Sequence, residues 1–344
     1  MRGPRPRDIG RRRFCAGAAA ASLTALAGPG RASGEDIRFF RIGTGATSGT
    51  YFSVGSMVAT AISNPPGSRS CGVGGSCGVP GLIAVAQSTQ GSIQNVEAVA
   101  TGQLESGLAQ ADVVYWAFHG TGLFRDRGAR PNVRAIANLF TATVHIVVRA
   151  DQGISDIADL RGRRISLGDA GSGTPMVAKD ILAAYEIAEG DFEPFHHKPG
   201  PASDLLANGG LDAFFVIGAV PVSAVTALVE RVPIRLLEIA GTAGEEIRTF
   251  YPFLADAVIQ GGAYTNVGHT VSAGISTQWI ISAESDEDFV YALTEALWHE
   301  KSRALFEKGH PEGKNILLDR ALNGIAIPVH PGAARYYADH DIRK

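Results

Sequence analysis

Two short loops constrain this chain more than anything else in it. Each is rich in glycine and hydroxyl side chains, and each stands between an apolar, β-like run and a helical one. They are Gly43-Thr-Gly-Ala-Thr-Ser-Gly-Thr-Tyr51 and the segment Gly168 to Thr174. A third polar turn, Ser92 to Asn95, also opens a helix. Strand, glycine loop and helix in succession are the repeating unit of an α/β fold. The first N–H groups of such a helix have no partner inside it, and they carry the positive end of the helix dipole. Glycine lets a ligand approach that backbone, so the loop can take a carboxylate or a phosphate. One such loop merely caps its helix. Several of them along one chain describe a cleft.

The start of the chain reads as an address. Arg11, Arg12 and Arg13 precede Phe14, and an uncharged, Ala-rich run follows to Ala27. A basic start, a short apolar stretch and small residues near its end make an export signal, here of the twin-arginine kind. Residues 1–32 are read as the signal, with cleavage after Ala27 or Ala32. The apolar run is about 14 residues, shorter than the roughly 20 a membrane-spanning helix needs. Removing the signal leaves 24 of the 31 basic and 33 of the 34 acidic residues, a net charge near −9. That argues against a nucleic-acid partner, which needs a basic face. The roughly 312 residues that remain exceed what one core usually supports, so two lobes are expected. Cys71 and Cys77 remain in an exported chain, where a disulfide is the favoured state. Metal binding by these two thiolates is the weaker reading, because no His or Cys adjoins them in sequence.

Along the chain, strands are expected at Ile37–Ile42, Leu82–Gln87, Leu108–Gln110, Val133–Leu139, Val144–Arg149, Ala213–Ile217, Ile234–Ile239 and Val271–Ser282. Helices are expected at Phe52–Ile62, Ile93–Thr101, from Ala111 to Trp116, from Thr174 to Ala188, at Pro201–Asn208 and at Val220–Glu230. A long amphipathic helix is expected at Asp286–Phe306 and a terminal one at Ala333–Asp341. The stretch Asn64 to Pro80 reads as a loop insertion holding both cysteines. Ala213 to Val229 carries no charge, but Pro221 interrupts it, and strand followed by helix explains it better than a membrane span.

Enzyme motifs are incomplete. Gly43-Thr-Gly45 starts like a dinucleotide loop, but its third glycine, Gly49, is one place too far. Gly49-Thr-Tyr lacks the lysine of a nucleotide-hydrolase loop. Gly74-Gly-Ser76-Cys-Gly78 matches a hydrolase nucleophile pattern, yet no strand runs into it. His196-His197 and His299-Glu300 lack metal-ligand spacing, which favours hydrogen-bonded or surface histidines. Arg41, Arg149 and Lys179 are candidate contacts for an acidic ligand, and Tyr51, Phe215 and Trp279 for stacking, with Tyr51 favoured by its place at the loop–helix junction.

In the same order as in one known family, the chain carries Gly43–Tyr51, Gly91-Ser-Ile-Gln-Asn95, Leu108-Ala-Gln-Ala-Asp112, Leu160–Gly168, Gly171-Ser-Gly-Thr174, Leu211-Asp-Ala-Phe-Phe215 and Ile327–Tyr337. This series resembles the TAXI family, the receptors of a subset of tripartite ATP-independent periplasmic (TRAP) transporters. It spans about residues 36–338. The resemblance implies an α/β, two-lobed periplasmic binding protein fold of the type II kind, with crossover hinge strands. It implies lobe 1 over 33–147 and 271–344, and lobe 2 over 148–270. Hinges would lie near Thr143–Val148 and Ser272–Thr277. Carried over by position, the ligand contacts are Gly45, Thr47, Thr50, Tyr51, Ser92, Asn95, Gln110, Ser172, Gly173 and Thr174. Position 111 is often Ser in the family, and here it is Ala111. The implied protein is a periplasmic monomer without cofactor or catalysis. It would capture a small acidic solute, such as glutamate or a related dicarboxylate or oxo-acid, for a membrane TRAP permease. Two other readings are an exported hydrolase with Ser172 as nucleophile, and a periplasmic sensor or adaptor module.

Overall fold

The computed structural model describes residues 36–343, so the expected signal at 1–32 lies outside the described residues. The chain enters on strand β1 (Arg38–Gly43), whose alternate residues Phe40 and Ile42 are buried. It passes the first glycine loop into helix α1 (Thr50–Ile62). A short pair, β2 (Ser63–Asn64) and β3 (Val79–Pro80), brackets the cysteine segment. Strand β4 (Leu82–Gln87) leads to α2 (Ser92–Ala100), and β5 (Ser106–Gln110) runs directly into α3 (Ala111–His119).

Strand β6 (Val133–Arg149) is a single ladder of 17 residues, where two separate strands were expected. Phe140 to Thr143 bridges the two runs because Thr is β-branched and each residue there has a partner on β12. Next come β7 (Arg164–Ser166), α4 (Thr174–Ala184), β8 (Glu193–Phe195), α5 (Pro199–Ala207), β9 (Ala213–Gly218), α6 (Ser223–Val229) and β10 (Ile234–Leu236). Helix α6 starts two residues after Pro221 rather than at Val220. Helix α7 (Gly241–Phe250) and strand β11 (Leu254–Ile259) were not expected from sequence. The chain returns on β12 (Thr270–Ser282).

The expected long helix at Asp286–Phe306 is two helices, α8 (Glu287–Trp298) and α9 (Glu300–Gly309). His299 stands between them in an extended conformation, and its Nδ1 accepts the Lys301 N–H at 3.2 Å. A side chain that caps the next helix this way ends the one before it. The Ser302 hydroxyl locks the corner by donating to the Ala296 carbonyl at 2.6 Å. The last helix is α10 (Pro331–Asp339).

Ten strands form one curled sheet, ordered β4-β1-β5-β12-β6-β9-β7-β8, with β10 paired to β6 and β11 to β12. Each end is parallel: β1 with β4 and β5, and β7 with β8 and β9. Between them β6 and β12 run antiparallel, Ser282 opposite Val133 and Gly274 opposite Thr143. These two strands are long enough to serve both wings. The near half of β12 pairs β5, and its other half pairs β11. The far half of β6 pairs β9 and β10. Parallel strands need crossover helices on their faces, so their interiors are apolar on both sides. The core accordingly has two clusters. The larger contains Phe40, Val58, Leu108, Trp279 and Leu293, and the smaller contains Val147, Phe214, Val225, Leu228 and Tyr264. Among the described residues, no helix is long and apolar enough to cross a membrane.

Candidate functional site

In a parallel sheet the strand ends and the helix starts meet at one edge, and ligands bind there. Here four helices begin around a single cavity: α1 at Thr50, α2 at Ser92, α3 at Ala111 and α4 at Thr174. Their N-cap residues are Gly49, Gly91, Gln110 and Gly173, and none caps its helix with a side chain. The dipole ends are therefore turned to the cavity, where Asp112 Oδ1 accepts the Val113 N–H at 2.6 Å and Ser172 Oγ the Thr174 N–H at 3.3 Å. The cavity measures about 70 Å³, room for about five to seven water-sized groups.

Of the residues expected to bind, Gly45, Thr50, Tyr51, Ser92, Gln110, Ser172, Gly173 and Thr174 line this cavity. Thr47 and Asn95 do not. Asn95 is wholly buried, and its amide is used up inside the fold. It donates to the carbonyls of Thr44 and Leu108 at 2.6 and 2.7 Å and accepts the Thr89 hydroxyl at 2.7 Å. It ties the first glycine loop to β5, because two bare strand-end carbonyls need donors there. Ser92 turns the same way in part: its Oγ takes the Gln110 N–H at 3.1 Å while it lines the wall.

Several lining residues were not among the ligand contacts carried over. They include Ala46, Gln90, Asp169, Pro199 and the β9 segment Phe215 to Ile217. Phe215 was singled out as a stacking candidate and does line the cavity. Trp279, the other, is core: it is 0% exposed and its Nε1 donates to Ser106 Oγ at 3.0 Å. Tyr51 leans edge-on against Phe140, and its hydroxyl accepts from Thr277 Oγ1 at 3.3 Å. Burial pushes its pKa above the ordinary phenol value, so the hydroxyl stays neutral.

The three candidate cations are engaged elsewhere. Arg41 grips Glu105 with two bonds of 2.9 and 2.7 Å, Arg149 pairs Asp151 at 2.6 Å, and Lys179 pairs Glu189 at 2.9 Å. Among the described residues that line the cavity there is no Lys, Arg or His. The lining Ser172 donates its proton to the Asp169 carbonyl at 2.7 Å, a geometry that leaves it without a base. Ser76, in the nucleophile-like motif, is bonded to the Ser63 carbonyl and lies outside the cavity.

The two walls touch at points where a side chain would not fit. A Cβ on Gly173 would stand 1.7 Å from Gln110 Oε1, one on Gly171 2.4 Å from Gln90 Cβ, and one on Gly91 2.9 Å from Ser172 Cβ. The Gly171 carbonyl accepts the N–H groups of Ile93 and Gln94 at 3.1 and 3.3 Å. Ser48 Oγ accepts the Gly200 N–H at 3.1 Å, and Thr50 Oγ1 donates to the Ala219 carbonyl at 3.2 Å. Behind the cavity, Tyr251 donates to the buried Asp112 carboxylate at 2.6 Å. Desolvation pushes Asp112 up to about 6. Trp116 and Phe253 pack on the Tyr251 ring. Glycine permits these close contacts, and the bonds tie together the segments that face each other across the cavity.

Away from the cavity, Cys71 and Cys77 form a disulfide. The neighbour that sequence did not reveal is His299, whose Nε2 lies 3.7 Å from Cys71 Sγ. Cys71, Cys77 and His299 are close enough to share a metal ion, but a bonded sulfur pair supplies no thiolate.

This sheet, with parallel ends joined by two antiparallel strands and a cavity at the helix starts, is the α/β, two-lobed fold of the periplasmic binding proteins. A protein of Bordetella bronchiseptica RB50 shares it at a TM-score of 0.51 and 17% identity, over 87% of this chain and 88% of that one. PhnD1 of Prochlorococcus marinus (MIT 9301), solved with methylphosphonate, matches at a TM-score of 0.51 and 12% identity, over 81% of this chain and 95% of its own. A structure described as a periplasmic transporter matches at 0.51 and 12%, over 88% and 92%. The chain itself belongs to the NMT1-like family, whose model matches residues 42–340.

Proposed function

We propose that this chain is an extracytoplasmic solute receptor that closes around a small carboxylate-bearing solute and delivers it to a membrane transporter. The observation that carries the reading is the cavity itself, ringed by four helix starts whose N-cap residues offer no side-chain cap, although Ser172 Oγ takes the Thr174 N–H at 3.3 Å and Asp112 Oδ1 the Val113 N–H at 2.6 Å. Such ends bind an anionic group without a salt bridge. Glycines that let the walls meet, with bonds across the cleft, fit a receptor that traps its solute by hinge closure. We take the two lobes to be 33–147 with 271–344, and 148–270. On this reading β6 and β12 are the hinge strands, flexing near Thr143–Val148 and Ser272–Thr277.

The ordered motif series supports a transporter of the TRAP type with a TAXI receptor, and the solute class that goes with it is glutamate and related acids. PhnD1, solved with methylphosphonate, has the same fold, so phosphonates belong in the test. Export through the arginine-led signal at 1–32 places the protein in the periplasm, and the partner is then a membrane permease. Among the described lining residues, Ser172 gives its proton to the Asp169 carbonyl rather than to a base, which fits a site that binds.

The test is a thermal-shift screen of amino acids, dicarboxylates, oxo-acids, short fatty acids and phosphonates, followed by calorimetry. A ligand at a hundredfold excess over its dissociation constant adds about 2.7 kcal/mol of stability. A large shift with one acid class, and recovery of that compound unchanged after long incubation, is the expected result. Consumption of the compound, or silence across the whole panel, would remove the acid-receptor reading.

A further inference from the structure

The charges of the cavity are one-sided. Among the described lining residues Asp169 is the charged one, and no Lys, Arg or His faces it. A second carboxylate, Asp112, is buried two residues beyond Gln110. A solute with two negative charges would meet the Asp169 carboxylate and no cation in the described lining, so helix ends alone would have to offset both. The second observation is Gln110. Its side chain lines the cavity and is 3% exposed, and its Oε1 is buried with no hydrogen-bond partner. Its backbone is pinned by the bond from its N–H to Ser92 Oγ at 3.1 Å. Buried acceptors of this kind are normally paired, and an amide oxygen can be paired only by a donor. Gln110 Oε1 abuts Gly173, on the loop that also carries Asp169. Asp169 is held at the wall by the Gly171 N–H, which its Oδ1 accepts at 3.1 Å.

Building on the receptor reading above, we propose that the solute carries an ammonium group beside its carboxylate, and that Asp169 and Gln110 recognise that ammonium. An ammonium has three donors and no acceptor, so it matches a carboxylate on one wall and an amide oxygen on the facing one. The solute's carboxylate then faces the opposite need, the N–H groups of the helix starts. An oxo group in the same place offers acceptors only and leaves Gln110 Oε1 unpaired. The site therefore selects amino acids over oxo-acids and plain dicarboxylates of the same skeleton.

Matched pairs test this on the full chain by calorimetry: glutamate against 2-oxoglutarate, and alanine against pyruvate, with succinate as the plain dicarboxylate. In whichever pair binds, the amino member is expected to bind at least about tenfold tighter than its oxo partner, since a donor-less analogue strands a buried acceptor. Asp169→Asn, checked for an unchanged unliganded melting temperature, is expected to weaken the amino member and leave its partner within about threefold. An oxo-acid or succinate that binds as tightly as the amino acid overturns the ammonium site alone and leaves the receptor standing. A preference that survives intact in Asp169→Asn does the same. No heat with any member of the set, where another acid of the screen binds, overturns the ammonium site alone, and silence across the whole screen overturns both readings together.

Discussion

Gly173 is the residue where the cleft is tightest. A methyl group there would overlap Gln110 Oε1, so the loop would have to stand off the opposite wall. Gly173→Ala is expected to weaken solute binding by at least about tenfold, while the melting temperature of the empty protein changes little, because the closed form is what the methyl group opposes. Calorimetry beside a thermal melt separates the two quantities. Asn95 gives the opposite pattern. Its amide serves two carbonyls and a hydroxyl inside the fold, so Asn95→Ala is expected to cost at least about 2 kcal/mol of stability in a urea titration. An unchanged midpoint would show that these bonds are replaceable.

His145 sits in the same class of buried groups. Its Nδ1 lies 2.9 Å from the Thr143 carbonyl and its Nε2 2.9 Å from the Tyr264 hydroxyl. Burial pushes it down to about 4 from an ordinary 6.5. The unfolded chain takes a proton near 6.5, and the folded one resists until about 4. Stability therefore falls as pH drops through that window, by up to about 3 kcal/mol. Asp112, raised to about 6 from 3.8, works the other way: the folded state holds its proton longer, so its contribution improves as pH falls from about 6 to 3.8. Melting temperatures from pH 7 to pH 4 should fall less steeply in His145→Gln than in the natural protein, and more steeply in Asp112→Asn.

At the scale of elements, the clasp between α3 and the turn from α7 to β11 is the contact that sequence patterns hid. Tyr251→Phe keeps the ring against Trp116 and removes one donor from a buried carboxylate. The expected cost is about 1–3 kcal/mol, read by urea titration. The disulfide acts on a smaller element. It closes a short loop between β2 and β3, with a sequence separation of 6, so the chain-entropy effect is about 2 kcal/mol at most. Reductant should lower the melting temperature modestly and leave solute affinity unchanged. A large loss of affinity would mean that this segment communicates with the cavity.

For the whole molecule, β6 and β12 are continuous through both wings, so any opening must bend these two ladders together. A hinge spread over two paired strands favours a rigid-body swing over local unfolding. Small-angle scattering should then show a decrease in radius of gyration when the saturating solute identified by the screen is added. Gly173→Ala should remain expanded under the same conditions.

The sequence by itself determined the α/β class, the two glycine loops and most of the helix starts at the cavity. These are local matters: glycine at a tight approach, hydroxyls at a helix start and apolar runs of strand length act through neighbouring residues. The break at His299 and the continuity of β6 escaped because each depends on a partner far along the chain or on a cap competing with helix propensity. The tertiary structure alone decided which polar groups meet the cavity. Asn95 and Gln110 carry the same chemistry in similar motifs, yet one is consumed by Thr44, Thr89 and Leu108 and the other is left with an unpaired oxygen. That difference arises because a side-chain amide bonds to whatever backbone the fold brings to it, and strand pairing, not composition, brings β1 to β5.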